Sequence, residues 1–152
     1  MLKLLVLSIL FMSELALAVD VKVSSLCDKD LSYSLSFELE EGRSVLDYTV
    51  ETMDFHNLDY VAYENGISQV FESPTGMDAL EVLSDRDMRS YGWCYLTSSV
   101  EGLPSIMPNE LIVNDQAETI HWFYGYAAMK NGQWISYCVP VYEQKPDFIC
   151  SP

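Results

Sequence analysis

From residue 31 to residue 39, apolar side chains fall at Leu31, Tyr33, Leu35, Phe37 and Leu39, with Ser or Glu between them. A strict period of two turns one face of an extended segment to a core and the other to water, so a half-buried strand is predicted here. Glu40, Glu41, Gly42 and Arg43 supply a turn, and residues 45–53 are apolar enough for a second extended segment despite Asp47 and Glu51. Residues 54–59 are polar and read as a loop. Residues 60–63 and 67–71 flank Glu64-Asn65-Gly66, and Asn-Gly is a strong hairpin signal because both residues tolerate positive φ. Ser73-Pro74-Thr75-Gly76 then punctuates the chain. After it, Met77, Leu80, Val82 and Leu83 sit at spacings that place most of them on one helical face, which predicts a short helix capped by Thr75 and running to about Ser84.

Strand signals dominate the second half. Residues 93–96, 111–113 and 119–127 are apolar and aromatic, and all three suit strands. In the last of them Ile120, Trp122, Tyr124 and Tyr126 share one face, while His121, Phe123, Gly125 and Ala127 share the other, so both faces are substantially apolar. Lys130-Asn131-Gly132 makes a turn, and residues 134–141 return as another strand. A hairpin, one short helix and then several strands is an α+β order, that of a β-grasp-like mixed sheet.

The first residues change what this pattern means. A single Lys3 precedes an apolar run over residues 4–12, and Ala16-Leu17-Ala18 places small residues where a signal peptidase reads them. Residues 1–18 are therefore expected to be a signal peptide cleaved after Ala18. Ser8, Ser13 and Glu14 interrupt a stretch already shorter than the roughly 20 apolar residues that span a bilayer, so no membrane anchor is expected. A secreted or periplasmic domain comprising residues 19–152 remains. The chain carries 23 acidic against 8 basic residues, a net charge of -15. Such a surface repels phosphate backbones, which excludes nucleic acid as a natural partner. Ten Tyr, six Phe and three Trp argue against a disordered acidic tail.

In an exported chain, Cys27, Cys94, Cys138 and Cys150 read as two disulfides, with three connectivities open. The pairing Cys94 with Cys138 and Cys27 with Cys150 is favoured, because the first would join two strands of one sheet and the second would tie the termini. No CxxC or close Cys/His pair points to a metal, and no cofactor is implied. Catalytic patterns are equally scarce. His56 falls in the polar loop and His121 in the aromatic strand, and neither belongs to a Gly-x-Ser-x-Gly or His-x-x-x-His arrangement. Asp85 and Asp87, separated by Arg86, lack the EF-hand pattern and read as a solvated helix terminus.

Aromatic residues offer the sharper hypothesis. Trp93, Tyr95, Trp122, Tyr124, Tyr126, Trp134 and Tyr137 come from three predicted strands, and aligned aromatic faces can stack on flat ligands or anchor a protein partner. Trp93 and Trp122 are expected in the core. Tyr124, Tyr126 and Trp134 lie nearer a strand end and form the candidate binding platform for an unidentified protein or small molecule. The expected function is a non-enzymatic binding or interaction module. Its rivals are a small-ligand carrier, which needs a concave aromatic pocket, and a protease inhibitor, which needs a protruding loop braced by disulfides. Residues 98–109, with Pro104 and Pro108, are the candidate loop.

Tyr91-Gly92-Trp93-Cys94-Tyr95, then Gly102, Pro108, Ile112-Val113 with Asp115, and Ile120-His121-Trp122-Phe123-Tyr124-Gly125-Tyr126-Ala127 resemble the transcobalamin-like C-terminal domain family. Ser73-Pro74-Thr75-Gly76-Met77-Asp78-Ala79-Leu80 is similar to that family's turn into its single helix. The resemblance covers residues 60–140. It departs at Ser98-Ser99-Val100-Glu101-Gly102, where the family has a Val-Asn-Gly turn, and it does not reach residues 19–59, which can add edge strands or wrap the domain. It implies an exported β-grasp-like domain. In vitamin B12 carriers a similar domain closes over the corrin, but a helical barrel supplies most of that site and this chain has no room for one. The resemblance thus implies a binding module of unassigned ligand, with a small-ligand carrier resembling the cobalamin-closing domain as the alternative; corrin binding by this domain alone is not expected.

Overall fold

A computed structural model describes residues 18–115 and 117–150. The expected leader, residues 1–18, lies outside the described part except for Ala18, which opens strand β1 (Ala18–Ser24). Val19, Val21 and Val23 are completely buried, and Asp20 between the first two is exposed, so β1 turns a row of β-branched side chains to the core. It pairs antiparallel with β2 (Ser32–Glu38), the strand expected from the period of two. Tyr33, Leu35 and Phe37 lie on the better covered face of β2.

Residues 45–53 are not extended. They form helix α1 (Val45–Phe55), and the reason is local. The Ser44 side chain accepts the Asp47 N–H, and the Asp47 carboxylate accepts the Ser44 N–H at 2.9 Å, a capping box that satisfies two otherwise orphaned donors. Val45, Tyr48, Thr49, Thr52 and Met53 are buried, a helical spacing that leaves Asp47 and Glu51 in solvent. The first helical amides find carbonyls in a distant segment: Val45 N–H bonds Leu111 O at 2.9 Å and Leu46 N–H bonds Pro108 O at 3.0 Å. Residues 111–113, expected as a strand, instead strap the start of the helix and contribute only an isolated bridge between Ser44 and Ile112.

The hairpin around Asn65-Gly66 is present as β3 (Tyr60–Tyr63) and β4 (Gly66–Val70). The helix expected from Thr75 to Ser84 is not. One 3₁₀ turn spans Gly76–Ala79 without a side-chain cap from Thr75, and the chain then extends as β5 (Leu80–Val82). Its apolar residues do not share one buried face: Ala79 packs into a core and Leu80 is half-buried, whereas Met77, Val82 and Leu83 are exposed. Ser84 accepts hydrogen bonds from Arg86 N–H and Asp87 N–H, closing a tight turn that returns the chain into β6 (Met88–Thr97). Asp85 and Asp87 thus belong to a hairpin loop and not to a helix end. β7 (Thr119–Lys130) and β8 (Gln133–Pro140) follow, joined through Asn131 (φ 52) and Gly132 (φ 77), the paired positive φ values of a type I′ turn. A single helical turn, α2 (Asp147–Cys150), ends the described chain.

The chain is therefore strand-rich α+β with a curled mixed sheet in the order β2-β1-β7-β6-β5. β1 runs parallel to β7, and β7 runs antiparallel to β6. β8 pairs with the later part of β7, so β1 and β8 pair with successive stretches of that strand. One core lies between the sheet, α1 and the β3–β4 hairpin; a second, around Tyr91, Tyr124, Tyr126 and Val141, lies towards the C-terminal segment.

Both favoured disulfides are formed, Cys27 to Cys150 and Cys94 to Cys138. The second does not link adjacent strands. β6 and β8 both pair with β7, and Cys138, at φ 50 in an irregular stretch of β8, crosses β7 to reach Cys94. Gly125 makes the crossing possible: a Cβ there would stand 3.2 Å from Val139 O and 3.3 Å from Cys138 C. That backbone is tethered by the disulfide and has little room to yield. Gly125→Ala is expected to lower stability by about 1–3 kcal/mol, read as a lower urea midpoint at unchanged slope.

Glu118 is buried and holds the end of β6 against the start of β7. It accepts bonds from Ser98 Oγ at 2.8 Å and Ser99 N–H at 3.0 Å. Burial works to raise its pKa, but the hydrogen bonds from Ser99 and Ser98 outweigh it and leave the carboxyl below its usual value. A depressed folded-state pKa contributes stability that is present above the ordinary glutamate range and lost as pH falls through the folded value. Denaturant midpoints between neutral pH and about pH 3 are expected to fall less in Glu118→Gln than in the parent protein, and parallel curves would refute this.

Candidate functional site

A cleft of about 700 Å³ lies between β6, the turn of the β3–β4 hairpin and residues 103–108, with Tyr137 and Cys138 of β8 at its border. Trp93 and Tyr95 come from β6, and Trp122 from β7 supports them: Tyr95 and Trp122 stack with centroids 5.2 Å apart. Each indole is held by a hydrogen bond, Trp93 Nε1 to Ser73 Oγ at 2.9 Å and Trp122 Nε1 to Thr49 Oγ1 at 2.7 Å. These bonds satisfy the polar ends of the rings and fix their planes.

The opposite wall is the proline-flanked segment singled out in the sequence. Tyr95 donates its hydroxyl to Ile106 O at 2.6 Å, and Pro108 accepts from the start of α1. The loop is thus tied at both its middle and its end. Leu103, Ile106 and Met107 nevertheless remain substantially exposed. No charged side chain lines the cleft, although the whole chain has a net charge of -15. Burial raises the pKa of Tyr95, so its hydroxyl stays a neutral donor well above physiological pH. Such an arrangement suits binding by apolar contact and stacking, with Ser105, Tyr95 and Tyr137 as its hydroxyl groups.

The predicted platform is dispersed. Tyr124 and Tyr126 are buried, because β7 is a central strand with both faces covered, and they belong to the second core. Tyr124 donates to Pro74 O at 2.6 Å, and burial pushes its pKa upward. Only Trp134 is exposed, at 42%, and it lies outside the cleft. Trp122 is in the core as expected, at 1% exposure, whereas Trp93 is half-buried and borders the cleft. His121 packs in the sheet with Nε2 2.8 Å from Ser24 Oγ, and burial lowers its pKa. His56 caps the C-terminus of α1 and bonds Ser34 O. Leu103, Ile106 and Met107 were missed as site residues, though the prolines around them marked the loop.

Compared with protein-family models, curated proteins and solved structures, the chain matches none. Among the described residues no helix is long and apolar enough to cross a membrane. The two disulfides are compatible with an extracellular or periplasmic compartment.

Proposed function

We propose that this is a secreted or periplasmic binding module, without enzymatic activity, that takes an apolar ligand into the cleft between β6 and residues 103–108. One observation carries the reading: an uncharged, aromatic-walled cleft of about 700 Å³ persists in a strongly acidic chain. Solubility alone gives no reason for exposed Leu103, Ile106 and Met107 beside it. The volume falls within the ordinary range of small-molecule and peptide sites. An inhibitory loop would stand away from the body, whereas residues 103–108 are bonded inward through Ile106 and Pro108. The cleft therefore favours a carrier-like role over protease inhibition.

The leader pattern of residues 1–18 supports export. The order β2-β1-β7-β6, with its parallel central pair and α1 following the first hairpin, supports the β-grasp-like reading. The helix of that arrangement is α1 and not the segment after Thr75. The transcobalamin-like resemblance of residues 60–140 would then describe the later strands.

A neutral solvatochromic dye such as Nile red is expected to bind and shift its emission. Ile106→Asp combined with Met107→Asp should weaken the dye at least about tenfold while leaving the unfolding free energy from urea melts within about 0.5 kcal/mol, as exposed substitutions do. Undiminished binding by that variant would sink the assignment. Mass spectrometry of molecules copurified from the native compartment would identify the natural occupant.

A further inference from the structure

We infer that the cleft's occupant is an extended peptide that adds as a strand to the free edge of β6. This rests on the cleft being the binding site and names the chemistry of what it holds. β5 covers the outer edge of β6 only opposite Met88, Arg89 and Ser90. Beyond them, among the described residues, the backbone of residues 92–96 is paired with β7 alone. Alternate residues of an edge strand direct their N–H and C=O groups outward, ready to pair with another chain.

The lining shows that this edge faces the cleft. Trp93 and Tyr95 project from one face of the sheet and Cys94 from the other, yet all three successive residues border the same concavity. A pocket lying over one face would touch every second residue; one that runs along the edge touches each. The cleft thus presents apolar side chains together with a row of backbone donors and acceptors. An apolar small molecule filling it would strip water from that row and leave it unpaired, which weakens binding. A polypeptide strand continues the row begun by β5 and meets these groups at their own spacing. Its alternate side chains then fall towards Trp93 and Tyr95 on one side and the Cys94–Cys138 bridge on the other.

Charge narrows the sequence of the peptide. Glu64, Glu101 and Glu110 flank the lining segments and are exposed, and no Lys or Arg lies within two positions of a lining residue. Acidic peptides are disfavoured, and β-branched or aromatic residues with basic ends fit best.

Short synthetic peptides with a lysine at each end and Val, Ile, Leu, Phe, Tyr, Thr or Ser between them provide the probe, screened by fluorescence polarisation on the oxidised protein. The best binder is then N-methylated one residue at a time. Methylation at alternate positions is expected to weaken binding at least about tenfold, with little effect at the positions between, because only every second amide faces β6. Ile106→Asp with Met107→Asp should abolish peptide and Nile red binding together. Peptide binding indifferent to N-methylation would overturn strand addition, as would Nile red binding with no peptide captured, and both results would leave the cleft reading intact. Failure of peptide and dye alike would overturn both.

Discussion

Reducing both disulfides is expected to leave the chain largely unfolded at about 37 °C, the largest effect the structure foretells. The bridges close sequence separations of 123 residues (Cys27 to Cys150) and 44 residues (Cys94 to Cys138). In the loop-entropy model their removal releases about 5 and about 4 kcal/mol of denatured-state entropy, respectively. The net stability of a domain is itself only about 5–15 kcal/mol. Urea melts of oxidised protein, reduced and alkylated protein, and the two double Cys→Ser variants separate the contributions. The Cys94→Ser, Cys138→Ser pair should also lose Nile red binding while still folded, because both residues border the cleft. Coincident melts before and after reduction would refute the expectation.

Trp122→Ala is expected to cost about 3–5 kcal/mol. The ring is 1% exposed, stacks against Tyr95 and leaves Thr49 Oγ1 without its donor when removed. Tyr126, at 6% exposure, should behave the same way. Trp134, exposed on β8, should change stability by no more than about 0.5 kcal/mol. Equal midpoint shifts at all three positions would contradict this placement of core and surface.

What was legible in the sequence depended on how local its cause was. Residues 31–39 declared β2 because one face repeats every second residue, and the two Asn-Gly sites declared both hairpins. Helix α1 was misread as a strand because its apolar density drew more weight than its spacing. The signal was present in Ser44 and Asp47, three apart, and in Val45, Tyr48, Thr49, Thr52 and Met53. The opposite error occurred after Thr75, where a helical spacing gave way to pairing of Leu80–Val82 with β6 and the Ser84 turn drew the chain back into the sheet. β1 carries the alternation Val19, Val21, Val23, overlooked beside a predicted cleavage point. The cleft was illegible for a different reason. Its walls come from segments far apart in the chain, and only the fold brings Trp93, Ile106 and Tyr137 to one opening. Position near a strand end also proved a poor guide to exposure, since Tyr124 and Tyr126 sit where β7 is covered on both faces.

The parallel pairing of β1 with β7 has a consequence for when the molecule acquires its shape. β1 lies at the start of the described chain, yet it is an inner strand whose neighbour begins only at Thr119. During synthesis β1 and β2 emerge long before β7, and a hairpin by itself is marginal in water. The row Val19, Val21, Val23 can meet α1 soon afterwards, but the second edge of β1 stays unpaired until residues 119–122 have followed. Folding must await contacts of very long sequence separation, which are slow to form. Such a polypeptide closes its sheet only near the end of its own emergence; the Cys27–Cys150 bridge, spanning a separation of 123 residues, can lock only after that.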